Sequence, residues 1–244
     1  MTGYTHSELN LTDPTKGYTQ FVLYTEPRLG VACASLNATV TIRRQTPYGQ
    51  EWRDRLQRCV PSAMHATLVD SMMIPKLFEP CVDEDTDNSS AVRRSSCACY
   101  RTWYDPEFGL PVVGEHYRTV SGDIDDWTYT TYTPLDLRPD DVFASLIIDG
   151  ENGLFWARTA DGTLSFLPQE QGRGYGFGRT GGGPTDLADY LTKLLASDGK
   201  DTAAGGPPYS IRTVDQQILA WVESKPDARH LELTFEELRA IQRG

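Results

Sequence analysis

Hydrophobic and polar positions along this chain change period several times, and each change marks a change of expected element. Val40 and Ile42 alternate with Thr39, Thr41 and Arg43, the two-residue period of a strand with one buried face. The runs 18–26 and 29–44 are rich in β-branched and aromatic residues and are separated by Pro27 and Gly30, which predicts two or three opening strands. Trp127, Tyr129 and Thr131 alternate with Thr128, Thr130 and Tyr132, and the segment GLFWARTADGTLSFL folds back on itself around Asp161 and Gly162. These read as a strand and a hairpin. Residues 139–148 fit a buried strand or a short helix equally.

Elsewhere the period lengthens to that of a helix. In PYGQEWRDRLQRCV, Trp52, Leu56 and either Cys59 or Val60 fall on one side, which leaves the arginines to solvent. Residues 62–74 place Met64, Leu68 and Met72 on a second apolar face that Pro75 should stop. Leu187, Leu191, Leu194 and Leu195 make a stripe that begins after Pro184 at the first helical position and ends at Asp198 and Gly199. Two short helices follow, one around Val214, Ile218, Trp221 and Val222 and one opened by a capping box of Thr234 and Glu237. The expected fold is α+β: a mainly antiparallel, curved sheet flanked by helices, with a helical C-terminal appendage. Its organisation reads as a domain over 1–198 with a flexible polar loop at 83–96, a Gly- and Pro-rich linker at 199–210, and the appendage at 211–244.

Composition narrows the setting. The chain has 244 residues, 39% of them hydrophobic, enough to bury a substantial core. The first twenty residues contain no apolar leader, and no apolar run reaches the roughly 18 residues that cross a bilayer. Together with an odd count of five cysteines, this predicts reduced thiols, a cytoplasmic location and no membrane partner. A net charge of −11 argues against nucleic acid as a backbone-bound partner. The charge is uneven: residues 43–76 carry six Lys and Arg against three acids, whereas 121–170 carry ten acids against Arg138 and Arg158. Two solvated faces of unlike sign account for this most simply.

Three groups of residues carry candidate chemistry. Seven glycines between 172 and 183 precede the Leu187 helix, and backbone N–H groups without Cβ obstruction at a helix N-terminus suit an anion. Arg173, Gly174, Gly176, Gly178, Arg179, Thr180, Gly182 and Gly183 are the ligand-binding candidates. The segment lacks the Lys-Ser/Thr of a phosphate-binding P-loop and the acidic partner of a dinucleotide fingerprint. Close packing around Tyr175 and Phe177 is the competing explanation.

GYGFGRTGGGP followed by LADYLTKLL resembles a segment of small uncharacterised proteins from actinobacterial phages and plasmids. The likeness covers residues 172–195 and implies an accessory, mobile-element context. It supplies no activity, catalytic residue or cofactor.

Cys59, His65, Cys81, Cys97 and Cys99 lie within one short stretch and have the donor atoms that Zn²⁺ prefers. There is no CxxC spacing, and buried free cysteines are common in cores. No cofactor is otherwise expected. His116, beside Glu115, is the histidine with an adjacent acid, but neighbours on a strand face opposite ways. Asp123, Asp125, Asp126, Asp149 and Glu151 offer oxygen donors in segments that also read as turns. The leading expectation is a non-catalytic accessory or binding protein that contacts a protein partner or a small anionic ligand. The alternative is an enzyme acting on a phosphorylated or nucleotide substrate.

Overall fold

The computed structural model describes residues 33–79, 81, 96–121, 123–205, 214–224 and 230–244, with the backbone of 10–11, 21–22 and 30–32. Two antiparallel sheets organise it. The first has five strands in the order β3 (Thr39–Ile42), β7 (Asp125–Tyr132), β6 (Leu110–Arg118), β5 (Cys97–Asp105) and β4 (Gln57–Arg58). The second has four, in the order β10 (Leu164–Phe166), β9 (Leu154–Thr159), β8 (Phe143–Asp149) and β11 (His230–Thr234). A separate pair joins β1 (Asn10–Leu11) to β2 (Phe21–Val22). The α+β class with an antiparallel framework is thus realised.

The core lies in two layers on either side of the four-stranded sheet. Ile147, Leu154, Trp156, Leu164 and Phe166 face the first sheet, where they meet Ile42, Val112, Tyr129 and Trp52 of α2 (Pro47–Asp54). Leu146, Ile148, Phe155 and Ala157 point the other way, onto α4 (Gly182–Ala196), α5 (Gln216–Glu223) and α6 (Phe235–Arg243). Burial on both faces explains why 139–148 shows no period that separates strand from helix, and β8 resolves that ambiguity as a strand over Phe143–Asp149. On α4 the leucine stripe is fully enclosed, with Leu187, Leu191 and Leu194 at 0% exposure. Each contributes roughly 1.5–3 kcal/mol of burial.

Several sequence expectations shift. Part of the run expected as opening strands is helix α1 (Gly30–Leu36). Its residues 32–34, Ala-Cys-Ala, are small and carry little strand preference, and Cys33 packs against Leu110 and Tyr132. Residues 62–74 do not form one helix. They split into α3 (Ala63–Ala66) and a 3-10 helix, Ser71–Phe78, that contains Pro75 rather than stopping at it. The arginines of the segment after Tyr48 do not all face water. Arg55 lies beyond the end of α2 and pairs with Asp105 at 2.6 Å.

Helix α4 begins at Gly182, so Pro184 is its third residue rather than its first. An N–H at that position would have no intrahelical acceptor either, so its absence from proline costs nothing there. The Thr234–Glu237 capping box forms as expected, with Glu237 N–H donating to Thr234 Oγ1.

The segment expected as a helical appendage also supplies β11, whose five residues pair with β8 from His230–Asp149 to Thr234–Ser145. Of the expected linker, residues 199–205 lie against the body: Tyr190 donates to Thr202 O and Thr202 donates to Asp136. Residues 206–210 fall outside the described residues, as does the loop expected at 83–96 except for Ser96.

Candidate metal centre

Strands β5 and β6 form a hairpin closed by Pro106–Gly109, where Gly109 takes φ +63° and donates its N–H to Asp105 O. The register counts outward from that turn and sets Cys99 opposite His116 and Cys97 opposite Arg118. Side chains alternate along a strand, so Cys97, Cys99 and His116 project from one face while Ala98 and Glu115 project from the other. Strand β7 then sets Trp127 beside His116 and Asp125 beside Arg118. Cys81, a short distance beyond the 3-10 helix, completes the group.

The four donor atoms lie within 4.8 Å of one another, and all four residues are buried. Cys81 Sγ is 3.8 Å from Cys97 Sγ and 3.5 Å from His116 Nδ1, and Cys99 Sγ is 3.7 Å from the same nitrogen. A tetrahedral ion of zinc's size, with sulfur at about 2.3 Å and nitrogen at about 2.0–2.1 Å, requires S···S edges of about 3.8 Å and S···N edges of about 3.6 Å. Three edges therefore have the required length before any ion draws the ligands together. The cluster could hold a metal ion. It is compatible with zinc, and none of its cysteines is tied in a disulfide.

His116 is prepared for this role. Its Nε2 lies 2.7 Å from Asp125 Oδ1. A carboxylate accepts, so Nε2 is the nitrogen that donates to Asp125 and Nδ1 is the one turned toward the sulfurs. Trp127 stacks on the imidazole at 4.5 Å and 4° and fixes the plane of the ring. Arg118, on the same sheet face between Cys97 and Asp125 in register, brings positive charge to a site rich in thiols.

Cys59 and His65, expected as ligands alongside these cysteines, do not join them. Cys59 Sγ contacts His65 Nε2 at 3.5 Å, but the imidazole is already engaged at both nitrogens. Nε2 donates to Trp103 O at 2.8 Å, and Nδ1 accepts from Ser62 N–H at 3.1 Å. Burial pulls the His65 pKa below 6.5 against the opposing pull of the Trp103 carbonyl, and burial raises the Cys59 thiol. The place expected for His65 is taken by His116.

As an acid–base pair His116 and Glu115 are separated by the sheet. His116 is fully buried, while Glu115 lies on the opposite face and accepts from the Tyr100 hydroxyl at 3.3 Å. Of the oxygen-donor candidates, Asp149 is committed to its turn. It accepts from Thr46 Oγ1, from Asn152 Nδ2 and from the amides of Glu151 and Asn152.

The glycine-rich segment is largely packed. Gly178 N–H donates to Val222 O. Tyr175 donates to Pro168 O, with its ring against Phe155 and Tyr190, and Phe177 lies on Trp221. Burial is the chief reason the Tyr175 hydroxyl is held far above its ordinary pKa. At Gly176 a Cβ would come within 2.9 Å of Pro184 Cδ, and at Gly183 within 2.7 Å of Gly174 O. Those two glycines serve close approach of chain to chain. Arg173 is paired with Glu170 at 2.5 Å and lies 3.6 Å from Asp189. Arg179, Thr180 and Gly182 are exposed.

No protein-family model, curated protein or solved structure matches the chain. Among the described residues no helix is long and apolar enough to cross a membrane.

Proposed function

We propose that this chain is a non-catalytic binding protein whose five-stranded sheet is braced by a structural zinc ion held by Cys81, Cys97, Cys99 and His116. The observation that carries this reading is the convergence of three sulfurs and one imidazole nitrogen, all buried and within 4.8 Å of one another, with three of the six edges at the lengths of a thiolate–imidazole tetrahedron. Four protein donors fill the coordination sphere and leave no position for substrate, which is the arrangement of structural rather than catalytic zinc. The ion would tie Cys81 to the outer end of the β5–β6 hairpin and supply binding energy to folding. Function then lies in contact, with a protein partner or a small anionic ligand. The loss of Glu115 and His116 as a working acid–base pair supports this over turnover.

Metal analysis of the purified full-length chain tests the zinc assignment. One zinc per chain is expected to survive gel filtration, and cobalt substitution should give the strong visible absorption of a tetrahedral thiolate site. Removing the ion with a chelator should lower Tm, and adding zinc back should restore it. A chain that carries no stoichiometric metal, and whose Tm ignores both chelator and zinc, overturns the reading.

A further inference from the structure

We infer that the cleft between the outer edge of β3 and the glycine-rich segment binds a small organic anion, with Arg43 as its charged contact. This deepens the binding-protein reading but stands apart from the zinc. Thr39, Thr41, Arg43, Phe155, Gly174 and Tyr175 are among the residues that line a cavity of about 340 Å³. That volume suits a ligand of up to about mononucleotide size.

The electrostatics of the cleft run against those of the molecule. Acids outnumber Lys and Arg by 34 to 23, yet no lining residue is acidic and one is an arginine. Arg55, Arg138, Arg158, Arg173 and Arg239 are all committed to carboxylates. Among the described residues no carboxylate pairs with Arg43, which is exposed. A planar guanidinium without a partner in an acid-free cleft matches the fork of a phosphate or carboxylate.

The backbone that presents Arg43 is fixed. The amides of Arg43 and Arg44 both donate to Asn152 Oδ1, at 3.1 and 2.8 Å, and Asn152 Nδ2 returns to Arg44 O and to buried Asp149. β3 is therefore latched to the β8–β9 turn, and the position of Arg43 at the cleft mouth is set before a ligand arrives. Val40, Leu154 and Phe155 are the aliphatic and phenyl side chains of the lining, suited to the uncharged body of a ligand whose head group meets Arg43. Gly174 lines the cleft, and a Cβ there would project into open space, with nothing within 4 Å.

Isothermal titration of the full-length chain with inorganic phosphate, AMP, citrate and benzoate, with adenosine as the uncharged control, tests the site. At least one organic anion is expected to bind with one-site stoichiometry, more tightly than inorganic phosphate, while adenosine does not bind. Arg43→Ala should weaken that anion by about tenfold or more, Gly174→Val should fill the cleft and abolish binding, and Arg179→Ala should leave it unchanged. All three positions are exposed, and the metal content of each variant reports separately on the zinc reading. No binding by any anion overturns the inference, as does binding that survives Arg43→Ala. Loss in Arg179→Ala with retention in Arg43→Ala also overturns it and returns the site to the start of α4.

Discussion

The Cys59–His65 pair and the Cys81–Cys97–Cys99–His116 cluster use the same side-chain types, the first hydrogen-bonded to β5 and the second built partly on it, yet only the second offers lone pairs to a common point. His65 follows a chain bend at Ser62 and meets the Trp103 carbonyl, so the backbone consumes both of its nitrogens. His116 stands in the middle sheet strand, where Trp127 stacks on its ring and the carboxylate of Asp125 meets its far nitrogen, leaving Nδ1 to the sulfurs. Metal-binding capacity here is decided by which hydrogen bonds the imidazole has already made. Residue type and chain spacing do not separate the two cases.

Substitutions separate the two groups most sharply at a ligand. If the proposed zinc is bound, Cys99→Ser should abolish its stoichiometric retention and cost several kcal/mol of stability, because the affinity of a structural metal site is folding energy. Its Tm should no longer respond to chelator. Asp125→Ala comes next: the ring loses its orienting acceptor, and zinc affinity should fall about 10- to 100-fold, measured by competition with a chromogenic chelator, while stoichiometry at saturation is kept. On the other side of the comparison, Cys59→Ser should retain a full complement of zinc and shift stability by no more than about 1 kcal/mol. A loss of metal in that variant would merge the two groups.

The smallest effect is pH dependence at His65. Its folded pKa is lowered, chiefly by burial, so the unfolded chain takes up a proton first as pH falls. Its contribution to stability is therefore full above the unfolded value of about 6.5 and is lost as pH drops through the lower folded one. The Tm difference between the wild-type chain and His65→Gln should accordingly shrink from about pH 7.5 to about pH 5.5. A difference that is constant or grows would show that the buried ring is not held neutral.

Much of the framework is legible in the chain because strict alternation and capping chemistry are local. β3, β7, the β9–β10 hairpin at Asp161–Gly162, the α4 stripe and the Thr234 capping box all follow from neighbouring residues. The misses are of two kinds. α1 and the Ser71–Phe78 3-10 helix are set by what they pack against rather than by their own period. β11 has a mixed pattern, half-buried at His230, Leu231 and Leu233, and its state is decided by the open edge of β8.

The metal site was half visible. Three of the four clustered residues, Cys81, Cys97 and Cys99, are metal candidates in the sequence, whereas adjacency groups His116 with Glu115 and only register groups it with Cys99. The signal lay in the Asp-Pro-Glu-Phe-Gly turn: pairing Asp105 with Leu110 fixes Cys99 opposite His116 without further information. The CAC spacing, unpromising on a helix or loop, becomes a two-donor face once it lies on a strand. Cys81 could not be found this way, because its approach to the sheet is made in three dimensions and leaves no period to read.

The pairing of β8 with β11 has a consequence for biogenesis. β8 is hydrogen-bonded on one side by β9, a few residues later in the chain, but its other side waits for residues far downstream. Until the ribosome has delivered them, the nascent sheet of β8, β9 and β10 presents the bare edge of Phe143–Asp149, an apolar strand of the kind that recruits stray strands. Yield on expression at different temperatures, and with chaperones supplied, should therefore be governed by how soon Leu231 and Leu233 close that edge.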